Sequence, residues 1–384
     1  DTAHAVFEFA DSTMLSGETA SGKHPLAALE MMLKILNETE KRIGRMAEKD
    51  LVRLKDKEDD KLFELVSKSI DEGVDAILVP ENKKSMILRL SALRFSIPII
   101  VFGENAEALG KLTKQYYTIA VSGTHGKSTT TAMIGLLLTK AGLDPTVIVG
   151  TKLKEFGNSN CRVGKSKYLV IEADEYAASF LNYSPDIVIL TSLEADHLDY
   201  YGTFEKIFET FQKYLTNLKP NGQIILNGDD GNLVELIRGK ENLHSYSLND
   251  TASSELKGIM QVPGNHNILN ALASLQVSTL LEIPKDTALK SLSQFKGTWR
   301  RFEVFEMEKP IQYTLVSDYG HHPTEVAATI QGAREKWPDK KIWLVFQPHQ
   351  YHRTYSFFDK FVNTLSNLPI ERLILADIYD VAGR

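Results

Sequence analysis

The chain has 384 residues, 43% of them hydrophobic and 24% charged, with a formal net charge of −6. Such a balance is that of a soluble globular protein of two or three domains, and it provides no basic face for nucleic acid. One cysteine, Cys161, excludes an internal disulfide and reads as an inert loop thiol, while the lack of a long apolar run or signal peptide points to the cytoplasm and away from a membrane.

In chain order, the first hundred residues predict a long helix from Pro25 toward Lys49 and a mixed-charge linker over 55–61. A helix at about 60–72, a strand at 75–79, a second helix to about Phe95 and a strand at 97–102 follow. Further strands are expected at 117–121, 146–149, 168–171, 186–191, 222–226, 313–318, 341–346 and 372–376, with helices interleaved. The fold class is α/β throughout, and short β-branched strands suit a sheet covered by helices on both faces. No internal repeat is visible.

Residues 121–131, Val-Ser-Gly-Thr-His-Gly-Lys-Ser-Thr-Thr-Thr, are the most informative stretch. The apolar strand Tyr117–Val121 enters it, and Met133, Ile134, Leu136, Leu137 and Leu138 give the helix after it a buried face before Gly142. This is a phosphate loop in which Gly123 and Gly126 turn backbone N–H groups toward a nucleotide triphosphate. Lys127 neutralises the β- and γ-phosphates and the Ser128 hydroxyl holds Mg²⁺. The usual spacing puts a glycine where this chain has Val121, so the loop is a shortened variant.

Two later strands run into acidic clusters, Glu172-Ala173-Asp174-Glu175 and Glu194-Ala195-Asp196-His197-Leu198-Asp199. In an open parallel sheet the carboxyl ends of strands form the ligand-binding edge, the edge that carries the phosphate loop. Glu172 is therefore a candidate ligand of Mg²⁺, and His197 a second ligand or an orienting partner.

The series Thr-His-Gly-Lys-Ser-Thr-Thr-Thr (124–131), Glu-Ala-Asp-Glu (172–175), Thr-Ser-Leu-Glu-Ala-Asp-His-Leu-Asp (191–199), Gly-Asn-His-Asn-Ile-Leu-Asn-Ala-Leu-Ala (264–273), Trp-Arg-Arg-Phe-Glu (299–303), Asp-Tyr-Gly-His-His-Pro-Thr-Glu (318–325) and Phe-Gln-Pro-His-Gln-Tyr-His-Arg-Thr (346–354) resembles the motifs of the Mur ligases. The resemblance runs from about Ala106 to Arg384, and the double histidine points to the branch whose substrates are UDP-N-acetylmuramate and L-alanine.

The resemblance implies an ATP- and Mg²⁺-dependent amide ligation in peptidoglycan precursor synthesis, through an acyl phosphate that the amino acid's amine then attacks. By the same resemblance, Gly123, Thr124, His125, Gly126, Lys127, Ser128 and Thr129 hold the phosphates. His266, Asn267 and Asn270 surround the adenine, Asp318 and Tyr319 touch the ribose, and Arg301 reaches the phosphates or ribose from the domain junction. His321, His322, His349 and Arg353 handle the incoming amino acid. Lys127, Glu172, His197, Arg301 and His322 would carry the catalysis. The chain departs from the family at Gln350, where an arginine is usual, and at His352, where a threonine is common. A neutral amide cannot supply a bidentate charged pair to a carboxylate, so the reaction class is better specified than the amine.

Residues Asp1–Val6 and Ala10–Pro25 resemble the last barrel strand, loop and helix start of pyruvate kinase, and the continuation to about residue 104 its small C-terminal domain. Four segments follow from these resemblances: 1–58, a last barrel strand and helix; 59–105, a partial pyruvate kinase-like α/β domain; 106–303, the central ATP-binding domain; and 304–384, a partial Rossmann-like C-terminal domain. No pyruvate kinase activity is expected from so little of a barrel. A Mur ligase normally begins with a domain that holds the UDP group, and no Gly-rich βα turn of that kind precedes Ala106. Impaired ligation, a non-catalytic ATP-binding chimera, and a regulatory domain fused to a nucleotide-binding module all remain open at this point.

Overall fold

The computed structural model describes residues 77–80, 99–102, 105–308 and 312–379. The helices read at 25–49, at 60–72 and up to Phe95, with the linker at 55–61, lie outside those residues. Strands β1 (Ile77–Pro80) and β2 (Ile99–Phe102) pair in parallel with Ile77 opposite Ile99, where the two upstream strands are expected.

A seven-stranded sheet forms the middle of the molecule. Its strands are β3 (Tyr117–Ser122), β4 (Thr146–Leu153), β5 (Ser159–Arg162), β6 (Tyr168–Glu172), β7 (Ile187–Leu190), β8 (Gln223–Asn227) and β9 (Leu243–Tyr246). They lie in the order β5-β4-β6-β3-β7-β8-β9, all neighbours parallel except β4 and β5. β7 reads Ile-Val-Ile-Leu and is buried throughout, as a parallel strand covered on both faces should be. Cys161, read as a loop residue, instead sits on β5 opposite Ile148. Neither β5 (Ser-Asn-Cys-Arg) nor β9 (Leu-His-Ser-Tyr) has the apolar run that marks the inner strands, because an edge strand has one solvated side.

Helices α1 (Asn105–Gln115), α2 (Lys127–Lys140), α3 (Leu198–Tyr201), α4 (Phe204–Tyr214), α5 (Gly231–Leu236), α6 (Thr251–Ile259), α7 (Asn265–Leu280) and α8 (Lys285–Ser293) flank the sheet. One core joins α2, α6, α7 and α8 to one face of it, through residues such as Leu137, Val147, Ala271 and Leu292. The other joins α4, α5 and the 176–182 segment to the opposite face, centred on Phe180, Phe211 and Tyr214. α2 has no solvent stripe: Thr129 through Leu138 are all buried, because α7 and α8 cover the side turned away from the sheet.

β3 lies between β6 and β7, so the chain leaves three neighbouring strands at one carboxyl edge. Val121 is opposite Glu172 and Ser122 is opposite Leu190, which sets the phosphate loop level with both acidic clusters. The C-terminal unit holds the antiparallel pair β10 (Glu303–Met307) and β11 (Tyr313–Ser317) and the parallel pair β12 (Trp343–Phe346) and β13 (Arg372–Leu375). Helices α9 (Pro323–Lys336), α10 (Tyr351–Ser356) and α11 (Phe358–Asn367) accompany them. A small core of Val326, Phe346, Phe357 and Phe361 packs against Ala195 and Leu198 of the central domain.

Candidate functional site

β3 ends at Ser122, and the loop that follows uses backbone conformations only glycine adopts cheaply: φ is +130° at Gly123 and +84° at Gly126. A Cβ on Gly126 would come within 2.5 Å of Asn270 Oδ1. The loop is stapled to the end of β7, with the Thr124 and His125 N–H groups donating to Ser192 O and Ser192 Oγ, each at 2.9 Å. The Glu194 N–H donates to Thr124 Oγ1 at 2.8 Å, and the Thr191 hydroxyl to His125 O at 2.5 Å. Four residues later the Thr130 hydroxyl donates to Asn270 Oδ1 at 3.1 Å, tying the start of α2 to α7.

The acidic rim closes on this loop. Lys127 Nζ donates to Gly123 O at 2.7 Å and to Thr124 O at 3.3 Å, and lies 2.9 and 2.8 Å from the two carboxylate oxygens of Glu175. Ser128 Oγ donates to Glu172 Oε1 at 2.9 Å, and Glu172 Oε2 accepts the Gly150 N–H at 2.6 Å. Burial raises the Glu172 pKa, although that N–H and Lys127 pull it down. Burial likewise raises Glu175, to about 8, against the pull of Lys127, and the same carboxylate helps lift the lysine. Two oxygens at hydrogen-bond distance from the ammonium favour the charged pair, which is the direction the geometry supports.

His197 caps α3 in a left-handed conformation, φ +51°. Its Nε2 is 3.8 Å from Asp196 Oδ2 and 4.0 Å from Glu175 Oε1, and burial holds its pKa below the usual imidazole value. Asp196 is itself buried, yet His197 and Arg353 keep its carboxyl well below the usual range; Arg353 Nε donates to Asp196 Oδ1 at 3.0 Å. The segment between the clusters is strained: Ala177 and Ala178 both adopt φ near +50°, with values of +52° and +55°.

The C-terminal unit approaches from the other side through Glu325. Its oxygens lie 3.4 Å from His125 Nδ1 and 3.4 Å from an Arg301 guanidinium nitrogen, and accept the His321 N–H at 2.9 Å and the His322 N–H at 3.3 Å. Glu325 is largely buried, but His321, His125 and Arg301 hold its carboxyl well below the ordinary value. Burial opposes the charge on Arg301, and Glu325, Asp318 and Glu172 outweigh it, so its pKa is raised.

These positions sort the residues read from the sequence. Lys127, Ser128, Glu172 and His197 meet at one rim, but the compact metal-binding geometry around His197 is made with Asp174 and Glu175, while Glu172 sits with Ser128. Asn267 turns back to donate to Pro263 O at 2.7 Å and is buried. Asn270 packs on Gly126 and so shapes the phosphate loop. His266 stays at the junction, its pKa lowered by burial with Asp318 and Arg301 nearby. Asp318 accepts the Phe302 and Gly320 N–H groups at 2.8 and 2.7 Å, and Tyr319 lies beneath the Arg300 and Arg301 guanidiniums.

His321, His349 and Arg353 do gather: the two rings are 5.8 Å apart, and Arg353 is 3.5 Å from His349 Nδ1. His322 does not join them. It is 1% exposed, accepts the Thr324 N–H through Nδ1 as the cap of α9, and packs on His125 and Phe357 with ring centroids 4.8 Å away. Burial and His125 depress its pKa to about 4. His322 thus caps α9 at the junction of the two units, beside His125 and Glu194.

Glu175, Asp196 and Glu325 were inside recognised motifs without roles of their own. The signal available was their place in clusters at strand ends; what sequence could not give is which carboxylate faces which cation.

A triphosphate and a divalent cation fit this donor set. Gly123 and Gly126 leave a cradle that a Cβ would fill, α2 presents its N-terminus, and Ser128, Glu172, Asp174, Glu175 and His197 offer the oxygen and imidazole ligands that a hard cation accepts.

Comparison with known proteins identifies the family. Residues 121–278 match the Mur ligase middle domain and residues 300–380 the Mur ligase glutamate ligase domain. A UDP-N-acetylmuramate–L-alanine ligase of Clostridium novyi is 42% identical over 335 residues, covering 81% of this chain and 70% of the relative. The enzyme of the same name from Trichlorobacter lovleyi is 39% identical, covering 81% and 71%. An 81% span leaves only about 73 residues unmatched, so the similarity reaches upstream of 105 into the β1–β2 pair. In fold, the UDP-N-acetylmuramate–alanine ligase of Thermotoga maritima superposes with a TM-score of 0.59 at 24% identity, over 79% of this chain and 72% of that one.

Proposed function

Because this chain belongs to the Mur ligase family, we propose that it catalyses the ATP-dependent ligation of UDP-N-acetylmuramate to L-alanine, in the cytoplasm, as a step of peptidoglycan precursor synthesis. The observation that carries this reading is the convergence of Lys127, Ser128, Glu172 and Glu175 at one strand edge, at hydrogen-bond distances. No helix among the described residues is long and apolar enough to cross a membrane.

Phosphoryl transfer from ATP to a carboxylate asks a protein mainly to position groups and to neutralise charge spread over phosphate oxygens. The loop amides and Lys127 bind the phosphates, and Arg301, fixed by Glu325, supplies a second cation from the C-terminal unit. Ser128 and Glu172 would hold Mg²⁺, with His197, Asp174 or Glu175 for a second ion; the metal's contribution is charge neutralisation on the phosphates. His266, Asp318 and Tyr319 would border the nucleoside. His321, His349 and Arg353 would face the amine substrate, with His322 holding the junction behind them.

L-alanine rests on the names of the two relatives. Gln350 Oε1 accepts a hydrogen bond from an Arg353 guanidinium nitrogen at 3.3 Å and adds no cation, and the Arg353 Nε already donates to Asp196. We place residues 77–104 with the ligase, on the upstream reach of the similarity, and confine the pyruvate kinase reading to the residues before them.

The test is phosphate release measured with ATP, UDP-N-acetylmuramate and L-alanine, each omitted in turn. Release should require all three, and Lys127→Ala should lower it at least a hundredfold, about 2.7 kcal/mol of transition-state stabilisation. ATP binding without substrate-stimulated release would instead identify a non-catalytic nucleotide-binding module.

A further inference from the structure

Glu175 has an arrangement that a metal ligand alone does not need. Its side chain is 4% exposed and places one oxygen 2.9 Å and the other 2.8 Å from Lys127 Nζ. The same ammonium donates to Gly123 O and Thr124 O, both in the phosphate loop. A lysine ammonium has three protons, and here three acceptors take them. The side chain of Lys127 is thereby folded back over its own loop.

The carboxylate is also held from behind. Its backbone carbonyl accepts the Tyr201 hydroxyl and the Ala178 N–H. The two left-handed alanines that follow make a turn with little freedom to swing. An anion fixed by a strained turn against a phosphate-loop lysine will compete with any other anion for that lysine.

We propose that Glu175 is a built-in competitor of the triphosphate, a positioning residue that holds Lys127 back over Gly123 and Thr124 and so sets nucleotide affinity. This rests on the reading of Lys127 as a phosphate-binding group. A triphosphate carries several negative charges and meets the α2 N-terminus as well, so it outcompetes a single carboxylate, whereas a monoanion does not. The ammonium then moves by exchanging one anion for another, without passing through an unpaired buried charge.

Inorganic tripolyphosphate is the probe, because it lacks a nucleoside and binds through charge alone. Its dissociation constant would be measured on the full chain by calorimetry, in EDTA and in Mg²⁺, for wild type, Glu175→Gln, Glu175→Asp and Lys127→Ala. Circular dichroism would confirm folding. Glu175→Gln should tighten binding in EDTA about tenfold, since a charged hydrogen-bond competitor is removed. Glu175→Asp, which withdraws the carboxylate by one methylene, should tighten it by a smaller factor and serves if the glutamine variant fails to fold. In turnover, the KM for ATP should fall while kcat does not rise. Unchanged or weaker binding in EDTA would overturn the proposal, as would a loss confined to Mg²⁺, which marks a metal ligand. If Lys127→Ala binds tripolyphosphate as tightly as wild type, the phosphate-binding role of Lys127 fails and takes this proposal with it.

Discussion

Gly126 and Gly142 share a positive φ, +84° and +77°, but differ in what surrounds them. Gly142 has nothing within 4 Å of an added Cβ, so Gly142→Ala should cost only backbone strain, about 1–2 kcal/mol. Gly126→Ala adds the collision with Asn270 and should also weaken ATP binding at least tenfold in a fluorescence titration; equal binding by both variants would count against the cradle. Charge at the junction has its own signature in pH. Asp196 and Glu325 have carboxyls held below their unfolded values, which lie at about 4. Their stabilisation is therefore complete above that pH and is lost as the pH falls through the folded values. These two carboxyls add no slope to the urea midpoint between pH 7 and 5, where a fall belongs instead to His197, His266, His321 and His322, whose burial opposes protonation, and they make it decline below about 4. Arg353→Met, which leaves Asp196 buried beside only His197, should cost about 3–5 kcal/mol in the same assay at pH 7.

Among the elements, the 176–182 segment and α4 are joined by aromatic packing: Phe180 stacks on Tyr214 at 4.3 Å and meets Phe211 edge-on at 5.0 Å, and all three are fully buried. Phe180→Ala should lower stability by about 3–5 kcal/mol in denaturant unfolding, and a change below 1 kcal/mol would mean the site can collapse. The strands of the inner sheet were legible because β3, β6 and β7 are near-continuous apolar runs. The phosphate loop was legible because glycine spacing between a strand and a helix has one common physical use. β10 was not, since Glu-Val-Phe-Glu-Met has both polar and apolar residues exposed in a two-stranded pair. Nor was the inward turn of His322: the residue caps α9, and only the docking of α9 against His125 and Phe357 makes it a buried wedge. The pairing of Glu175 with Lys127 spans 48 residues and depends on the turn at Ala177, which no local propensity predicts.

For the whole molecule, the pairing of Val121 with Glu172 and of Ser122 with Leu190 sets a limit on strand length. Each strand acts as a ruler graduated in steps of about 3.3 Å, and the three reactive loops are read off at the same mark. A single residue inserted into β6 would lift its carboxylate by a whole graduation, more than a Mg²⁺–oxygen bond of about 2.0–2.1 Å can absorb. Tolerance of sequence change in the inner strands should thus be wide for side-chain identity and close to nil for length.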